Sequence, residues 1–250
     1  MKQSVREKEQ HIFDILYKEL LRNGKLMFAG RLLQRAVQQH GDTTALIYED
    51  KHISYKKLYA LASALSAKLI QKYQIKPRDR AIICCENSPE FYIFYFALWQ
   101  AGVVVAPVNT FLKEKELAHI IIHAEPALIL TSSDRVELFE KTEIALPPIV
   151  TERDIDDVDE TTEIKDTIVD LEPDELAALL YTSGTTGVPK GVMLSSKNIM
   201  TNVLQIASLL PKPEEERILG VLPLFHSFAQ NTCVWASLFY GITIILVPKI

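Results

Sequence analysis

Glycine is scarce in this chain, with nine residues in 250. No Gly-x-Gly-x-x-Gly occurs among them, which removes the dinucleotide fingerprint of a Rossmann dehydrogenase. No glycine pair five positions apart is followed by Lys-Ser or Lys-Thr, so a Walker A loop is missing as well. Cysteine is rarer still. Cys84, Cys85 and Cys233 are too few for a disulfide framework and lack metal-ligand spacing. Strand neighbours face opposite ways, so Cys84 and Cys85 read, like Cys233, as small buried apolar residues suited to a reducing cytoplasm. There is no Lys/Arg-rich run interleaved with aromatics, and a net charge of −5 argues against nucleic acid. The first ten residues are polar and charged, with no apolar core of a signal peptide.

Two uncharged stretches, Phe91–Leu112 and Ile218–Pro248, exceed the roughly 20 residues that span a bilayer. The first holds Gln100, Gly102, Pro107 and Asn109; the second holds Pro223, His226, Gln230, Asn231 and Gly241. These breakers divide each into a helix plus a strand of a large core, so no transmembrane segment is expected. With 48% hydrophobic and 24% charged residues, the chain has globular composition. The acidity is local. Glu152–Glu175 carries twelve acidic and two basic residues, and reads as a solvated connection or an acidic partner-binding patch.

Apolar spacing predicts helices over Lys8–Leu21 and Leu32–Gln39, a hairpin of Ala45–Tyr48 with His52–Tyr55, and a helix over Tyr55–Lys72. Ala81–Cys85 reads as a buried strand, followed by Ser88, Pro89 and Glu90 as N-cap, first-turn proline and acidic first turn of a helix to Gln100. Strands at Val103–Val105, Leu128–Thr131 and Pro148–Val150 alternate with helices at Glu114–His123 and Arg135–Lys141. Such alternation implies an α/β fold with parallel β-sheets flanked by helices. From Asp174 onward the pattern is a strand, the glycine cluster, a strand over Gly191–Leu194 and a helix capped by Ser195 or Ser196. A buried strand at Ile218–Leu222, a loop and helix over Phe225–Tyr240 and a strand at Ile242–Val247 follow. Residues 1–172 are expected as an N-terminal α/β subdomain and 173–250 as the start of a second one that carries the glycine cluster.

The glycines are concentrated where they matter. Three of the nine fall within eight residues, in Tyr181-Thr-Ser-Gly-Thr-Thr-Gly-Val-Pro-Lys-Gly191. Glycine lets other atoms approach backbone amides closely, while Thr182, Ser183, Thr185 and Thr186 add hydroxyls and Lys190 a mobile positive charge. That set suits a phosphate, with the amides near Gly184 and Gly187 as donors. A flexible surface linker is the plainer reading, but a linker has no need of Val188-Pro189-Lys190 or of apolar flanks. Lys190 has two roles open to it: charge for the phosphates, or an ion pair that holds the loop.

This stretch, through Val192, resembles the phosphate loop of the adenylate-forming enzymes, Tyr-Thr-Ser-Gly-Thr-Thr-Gly-x-Pro-Lys-Gly-Val. Those enzymes include acyl-CoA synthetases, peptide-synthetase adenylation domains and luciferases. The likeness continues in Thr44–Leu69, in Glu86-Asn87-Ser88-Pro89-Glu90-Phe91 through Pro107-Val108-Asn109, in Asn198, and in Leu222-Pro223-Leu224-Phe225-His226-Ser227-Phe228. It covers nearly all of Leu32–Ile250. The resemblance implies joining of a carboxylate to AMP with loss of pyrophosphate, followed by transfer to CoA or a carrier-protein thiol. It implies ATP held by Thr182, Ser183, Gly184, Thr185, Thr186, Gly187 and Lys190, with Mg²⁺ ligated by Thr182. It also implies that His226 sits beside the carboxylate and the α-phosphate, or helps gate the thiol step; a lone histidine in an apolar block otherwise reads as a hydrogen-bonded core residue. Phe225 and Phe228 read as pocket or core walls, and Trp99, Trp235 and Phe91–Phe96 as core.

The Phe-His-Ser-Phe form of the second motif resembles fatty-acid-activating members, with acyl carrier protein as a partner. An aryl- or short-chain-acid CoA ligase, or a non-catalytic remnant, is the alternative. The family's aromatic-Gly-x-Thr-Glu and Thr-Gly-Asp motifs, its hinge and its C-terminal lysine are not found in these 250 residues. The chain is therefore expected to be an N-terminal portion, weak in nucleotide binding, inactive alone and prone to self-association.

Overall fold

The computed structural model describes residues 13–156, 168–183, 189–209 and 216–248. A short pair, β1 (Leu21–Arg22) and β2 (Lys25–Leu26), precedes helix α1 (Leu32–His40). The expected hairpin is present as β3 (Thr44–Tyr48) and β4 (Lys51–Ser54), paired antiparallel. Ser54 then caps α2 (Tyr55–Tyr73), its side chain accepting from the Lys57 amide.

The alternating part follows as β5 (Arg80–Cys84), α3 (Pro89–Gln100), β6 (Val104–Pro107), α4 (Glu114–Ala124), β7 (Leu128–Thr131), α5 (Val136–Glu140) and β8 (Ile149–Val150). The chain continues as β9 (Leu176–Ser183), β10 (Pro189–Ser195), α6 (Ser196–Leu209) and β11 (Arg217–Gly220). A helix over 227–240, α7, leads to β12 (Thr243–Leu246).

Two sheets result. Six strands lie in the order β10-β9-β6-β5-β7-β8, parallel except for the β9–β10 pair. Four lie in the order β11-β12-β3-β4, parallel except for the β3–β4 hairpin. Strands from both sides of residue 173 contribute to both sheets.

The six-stranded sheet is covered on both faces, as the apolar runs of a parallel sheet require. Alternation decides which side chain goes where. Ala81 and Ile83 of β5 face the large core with α2, α3 and α6, while Ile82 and Cys84 face a smaller one with α4 and Phe139. Cys84 accordingly lies in the smaller cluster and Cys85, like Cys233, in the larger, and all three are buried and free. Burial pushes the Cys84 thiol up to about 12, so it stays protonated and inert.

Helix α3 is apolar all round, and every residue in it but Glu90 is buried. Tyr92 donates to the Cys233 carbonyl at 3.0 Å and the Trp99 indole to the Ala177 carbonyl at 2.9 Å, while the buried Gln100 side chain has no hydrogen-bond partner among the described residues. Trp99 packs edge-on to Tyr95 at 4.8 Å and stacks on Trp235 at 6.2 Å. The aromatic run is core, as read from its spacing.

Three expectations change. Ser88 occupies the N-cap position of α3 but makes no side-chain capping bond. The strand near Ile218 is an edge strand bonded to β12 alone, and Leu219 and Leu222 are exposed rather than buried. The acidic segment is not merely solvated. Among its described residues, Asp170 pairs with Arg22 and Arg31, Glu172 with Lys25, Glu175 with Arg78, and Asp156 with Lys68. The forked Arg78 guanidinium holds the Glu175 carboxyl below its usual range. Each exposed pair is worth little alone, yet together they tie the described ends of the segment to Arg22, Lys25, Arg31, Lys68 and Arg78. No described helix is long and apolar enough to cross a membrane.

Trp99→Phe removes the donor to Ala177 and part of the ring packing, at a cost of about 2–3 kcal/mol. The thermal midpoint should fall by roughly 5–10 °C, read by circular dichroism; an unchanged midpoint would contradict α3 as the anchor of the core.

Candidate functional site

The Gly/Thr stretch is the connection of a β-hairpin. β9 and β10 run antiparallel with Ser183 opposite Pro189, Thr182 opposite Lys190 and Tyr181 opposite Gly191. Gly184, Thr185, Thr186, Gly187 and Val188 lie outside the described residues. A Walker A loop runs from a strand into a helix N-terminus; here the loop returns into a second strand, and the helix starts only after β10.

Each flank of the loop has its own anchor. Gly191 leaves room for a neighbour: an added Cβ would lie 2.8 Å from Leu179 Cδ1 and 3.5 Å from the Tyr181 ring. Tyr181 packs edge-on against His123 of α4, with its hydroxyl 2.8 Å from His123 Nδ1. Burial pushes the Tyr181 phenol up to about 12, so it is neutral at ordinary pH. At the far end of β10, Ser195 and Asn198 close a reciprocal cap on α6. The Asn198 amide donates to Ser195 Oγ at 3.2 Å, and the Ser195 amide to Asn198 Oδ1 at 3.0 Å. Ser196 does something else, accepting from the Ala29 amide at 2.7 Å. The asparagine singled out by resemblance is thus a helix-capping residue.

His226 lies in the turn after β11, at the start of α7. Its amide donates to the Pro223 carbonyl at 3.0 Å and its carbonyl accepts from Gln230 at 2.9 Å. The imidazole is exposed rather than sunk in the core, and its ring centroid is 4.5 Å from that of Phe225. Phe228, by contrast, is 65% exposed and walls neither core nor pocket. Helix α7 is α-helical at both ends and π-helical over Gln230–Ala236, a widened turn that spacing alone did not reveal.

These pieces converge. A cleft of about 390 Å³ is lined by Leu180, Tyr181 and Thr182 of β9, Pro189 of β10, and Phe225 and His226; Pro107 at the end of β6 and Asn109 just after it close it, with α4 alongside. It sits beyond the carboxyl ends of the parallel strands β6 and β9, where open α/β sheets place their ligands. Thr182 and His226 therefore share one cavity, as does the first residue after the loop, Pro189. Lys190 is opposite Thr182 in the ladder and exposed; it has no carboxylate partner among the described residues. No cluster of three or more His, Cys, Asp or Glu side chains able to hold a metal occurs among the described residues. The Thr182 hydroxyl, at the cleft wall, is one oxygen donor of the kind Mg²⁺ takes when its other ligands are phosphate and water.

The sequence-derived site omitted Asn87, Gln230 and His123. Asn87 stood within a recognised block, and Gln230 was a polar residue in an uncharged stretch, which is the signal that points to buried pairing. Nothing local to His123 indicated its contact with Tyr181.

The family model for AMP-binding enzymes matches residues 33–250, and the chain belongs to that family. It is 33% identical over 216 residues to the 2-succinylbenzoate–CoA ligase of Bacillus subtilis, covering 86% of this chain and 43% of that protein. It is 31% identical over 204 residues to a 4-coumarate–CoA ligase of Humulus lupulus, covering 76% and 37%. Among solved structures, the Bacillus subtilis o-succinylbenzoate CoA synthetase superposes with a TM-score of 0.75 in two complexes. Its complex with ATP and magnesium is 26% identical, over 88% of this chain and 57% of that one. Its complex with the acyl-adenylate intermediate is 29% identical, over 88% and 56%. The chain spans less than half the length of both curated relatives.

Gly191→Ala should destabilise the protein by about 1–3 kcal/mol through the Leu179 contact, measured by urea unfolding. In a Leu179→Ala background the same change should cost clearly less. Equal costs in both backgrounds would show that the glycine is not there to make room.

Proposed function

We propose that this chain forms the ATP-loop side of the active site of an acid–thiol ligase. The enzyme activates a carboxylic acid as acyl-AMP and passes the acyl group to a thiol. One observation carries the reading: both flanks of the Gly/Thr loop and the imidazole of His226 open into the same cleft at the carboxyl ends of the parallel strands.

In this reading Thr182, Ser183, Gly184, Thr185, Thr186, Gly187 and Lys190 hold the β- and γ-phosphates. A carboxylate oxygen of the acid attacks the α-phosphorus, the bond to the bridging oxygen breaks, and pyrophosphate leaves. The carboxylate is already a nucleophile, so the barrier lies in bringing two anions together; positioning and charge stabilisation do the work. His226, exposed to the cleft, donates a hydrogen bond where charge gathers on the carboxylate and α-phosphate. Lys190, without a carboxylate partner among the described residues, is assigned to the phosphates. Thr182 would serve as a protein ligand to Mg²⁺, which would supply neutralisation of the phosphate charge. In the second half-reaction the thiol sulfur attacks the acyl carbon, AMP departs, and the thiol proton goes to solvent.

The acceptor is CoA, in keeping with the CoA-ligase relatives, with a carrier-protein pantetheine as the second thiol of the same chemistry. For the acid, the 2-succinylbenzoate and 4-coumarate ligases favour an aromatic substrate. The Phe225-His226-Ser227-Phe228 motif favours a fatty acid, and the exposure of Phe228 weakens that side. Acid-dependent ATP–pyrophosphate exchange by the complete polypeptide, across aromatic and aliphatic acids, separates the two. Exchange with none of them, despite ATP binding, would leave a nucleotide-binding protein and no ligase.

His226→Ala should lower acyl-adenylate formation at least roughly tenfold, about one hydrogen bond of transition-state stabilisation. Unchanged adenylation would return this histidine to a structural role.

A further inference from the structure

The turn that carries His226 is gripped from both sides by buried amide side chains. Asn87, in the turn between β5 and α3, is 6% exposed and uses all of its main hydrogen-bonding directions on this turn. Its Nδ2 donates to the carbonyls of Gly220 at 3.2 Å and Leu222 at 3.0 Å, and its Oδ1 accepts from the Leu224 amide at 2.9 Å. The reversed amide would set an oxygen against two carbonyls and an NH₂ against an N–H, so the network admits one orientation.

Gln230, fully buried, closes the other side: its Nε2 donates to the Phe225 carbonyl at 3.1 Å, and its Oε1 accepts from the Tyr95 hydroxyl at 3.1 Å. Gly220, Leu222, Leu224 and Phe225 are thus all tied down in the seven residues that lead to the imidazole. Both grips end on α3 or the turn before it, the most deeply packed element of the core. The His226 side chain makes no hydrogen bond of its own among the described residues. Its position is therefore set through its backbone.

We infer that Asn87 is a positioning residue for His226: it transmits the rigidity of α3 to the imidazole, with Gln230 as its counterpart on the other side of the turn. The inference rests on the adenylation reading for its effect on rate, but not for its effect on the imidazole. Asn87 does not line the cleft and touches no substrate. Removing its side chain frees three backbone groups that were buried or half-buried, and the turn loses its single position.

The test uses Asn87→Ala, His226→Ala and the double variant in the complete polypeptide. Tyr55→Phe serves as a control that loses a buried hydroxyl bond to Ile242 outside the cleft lining. Asn87→Ala should lower kcat for adenylation at least roughly tenfold with the KM for ATP within about threefold. The double variant should be no slower than His226→Ala, because the asparagine acts through the histidine. Tyr55→Phe should lose stability and keep its kcat.

Losses that multiply in the double variant, or an Asn87→Ala enzyme with normal kcat, would overturn the inference. Should the wild type make no adenylate, the functional reading fails and the imidazole decides the inference alone. The His226 Cε1–H resonance should be single and sharp in the wild type, and shifted or broadened in Asn87→Ala. An unchanged resonance would overturn it. Asn87→Asp, which keeps the acceptor for Leu224 but points oxygen at two carbonyls, serves if the alanine variant does not fold, and the same displaced resonance is expected.

Discussion

The buried helix Pro89–Gln100 is the constraint on which the remaining architecture depends. It has no polar face to give to solvent, so the chain must surround it, and both sheets and four other helices do so. The tyrosine hydroxyls and the Trp99 indole that it carries inward need partners. Those partners turn out to be distant segments: the α7 backbone for Tyr92, β9 for Trp99, the Gln230 side chain for Tyr95. Satisfying a few buried donors therefore fixes where β9 and α7 lie. The two elements that border the proposed site are held by the same piece of core.

From that arrangement the cleft follows. Strand β9 runs parallel to β6 and on past its end, the antiparallel return into β10 follows there, and the turn after β11 brings His226 to the same cavity. The chemistry assigned to it asks for little proton transfer and much placement of charge, which is what rigid backbone and hydroxyl groups on a deeply anchored frame supply. The contrast with a Walker A loop is geometric as well as sequential. The glycine-rich connection here joins two antiparallel strands, and the cap of the following helix is made by Ser195 with Asn198.

Much of this was legible beforehand, for identifiable reasons. Ala81 to Cys84 alternate between two cores because the strand repeat is two residues; the parallel order follows from strands spaced by helices. Pro89 and Gly102 bracket α3 as their backbone preferences require. The glycine cluster and His226 were visible as motifs, and Thr182 and Pro189, which flank the loop, line one cleft with His226. What was not legible is long-range pairing. No local pattern says that Asn87 serves a turn more than 130 residues away, or that Tyr181 finds His123. Nor does the apolarity of Ile218–Leu222 say that its strand ends up at an edge with one side exposed. The π-helical stretch in α7 escaped for the same reason: a widened turn keeps the apolar composition of an ordinary helix.

The central claim is that one cleft receives the ATP phosphates from the Gly/Thr hairpin and the reacting carboxylate beside His226. Hydrogen–deuterium exchange on the complete polypeptide, with and without MgATP and a carboxylic acid, tests it most directly. The account predicts added protection concentrated in 180–192 and 222–230, the two segments that meet at the cleft, with the α3 segment already protected in both states. Protection confined to other segments, or to only one of these two, would contradict it.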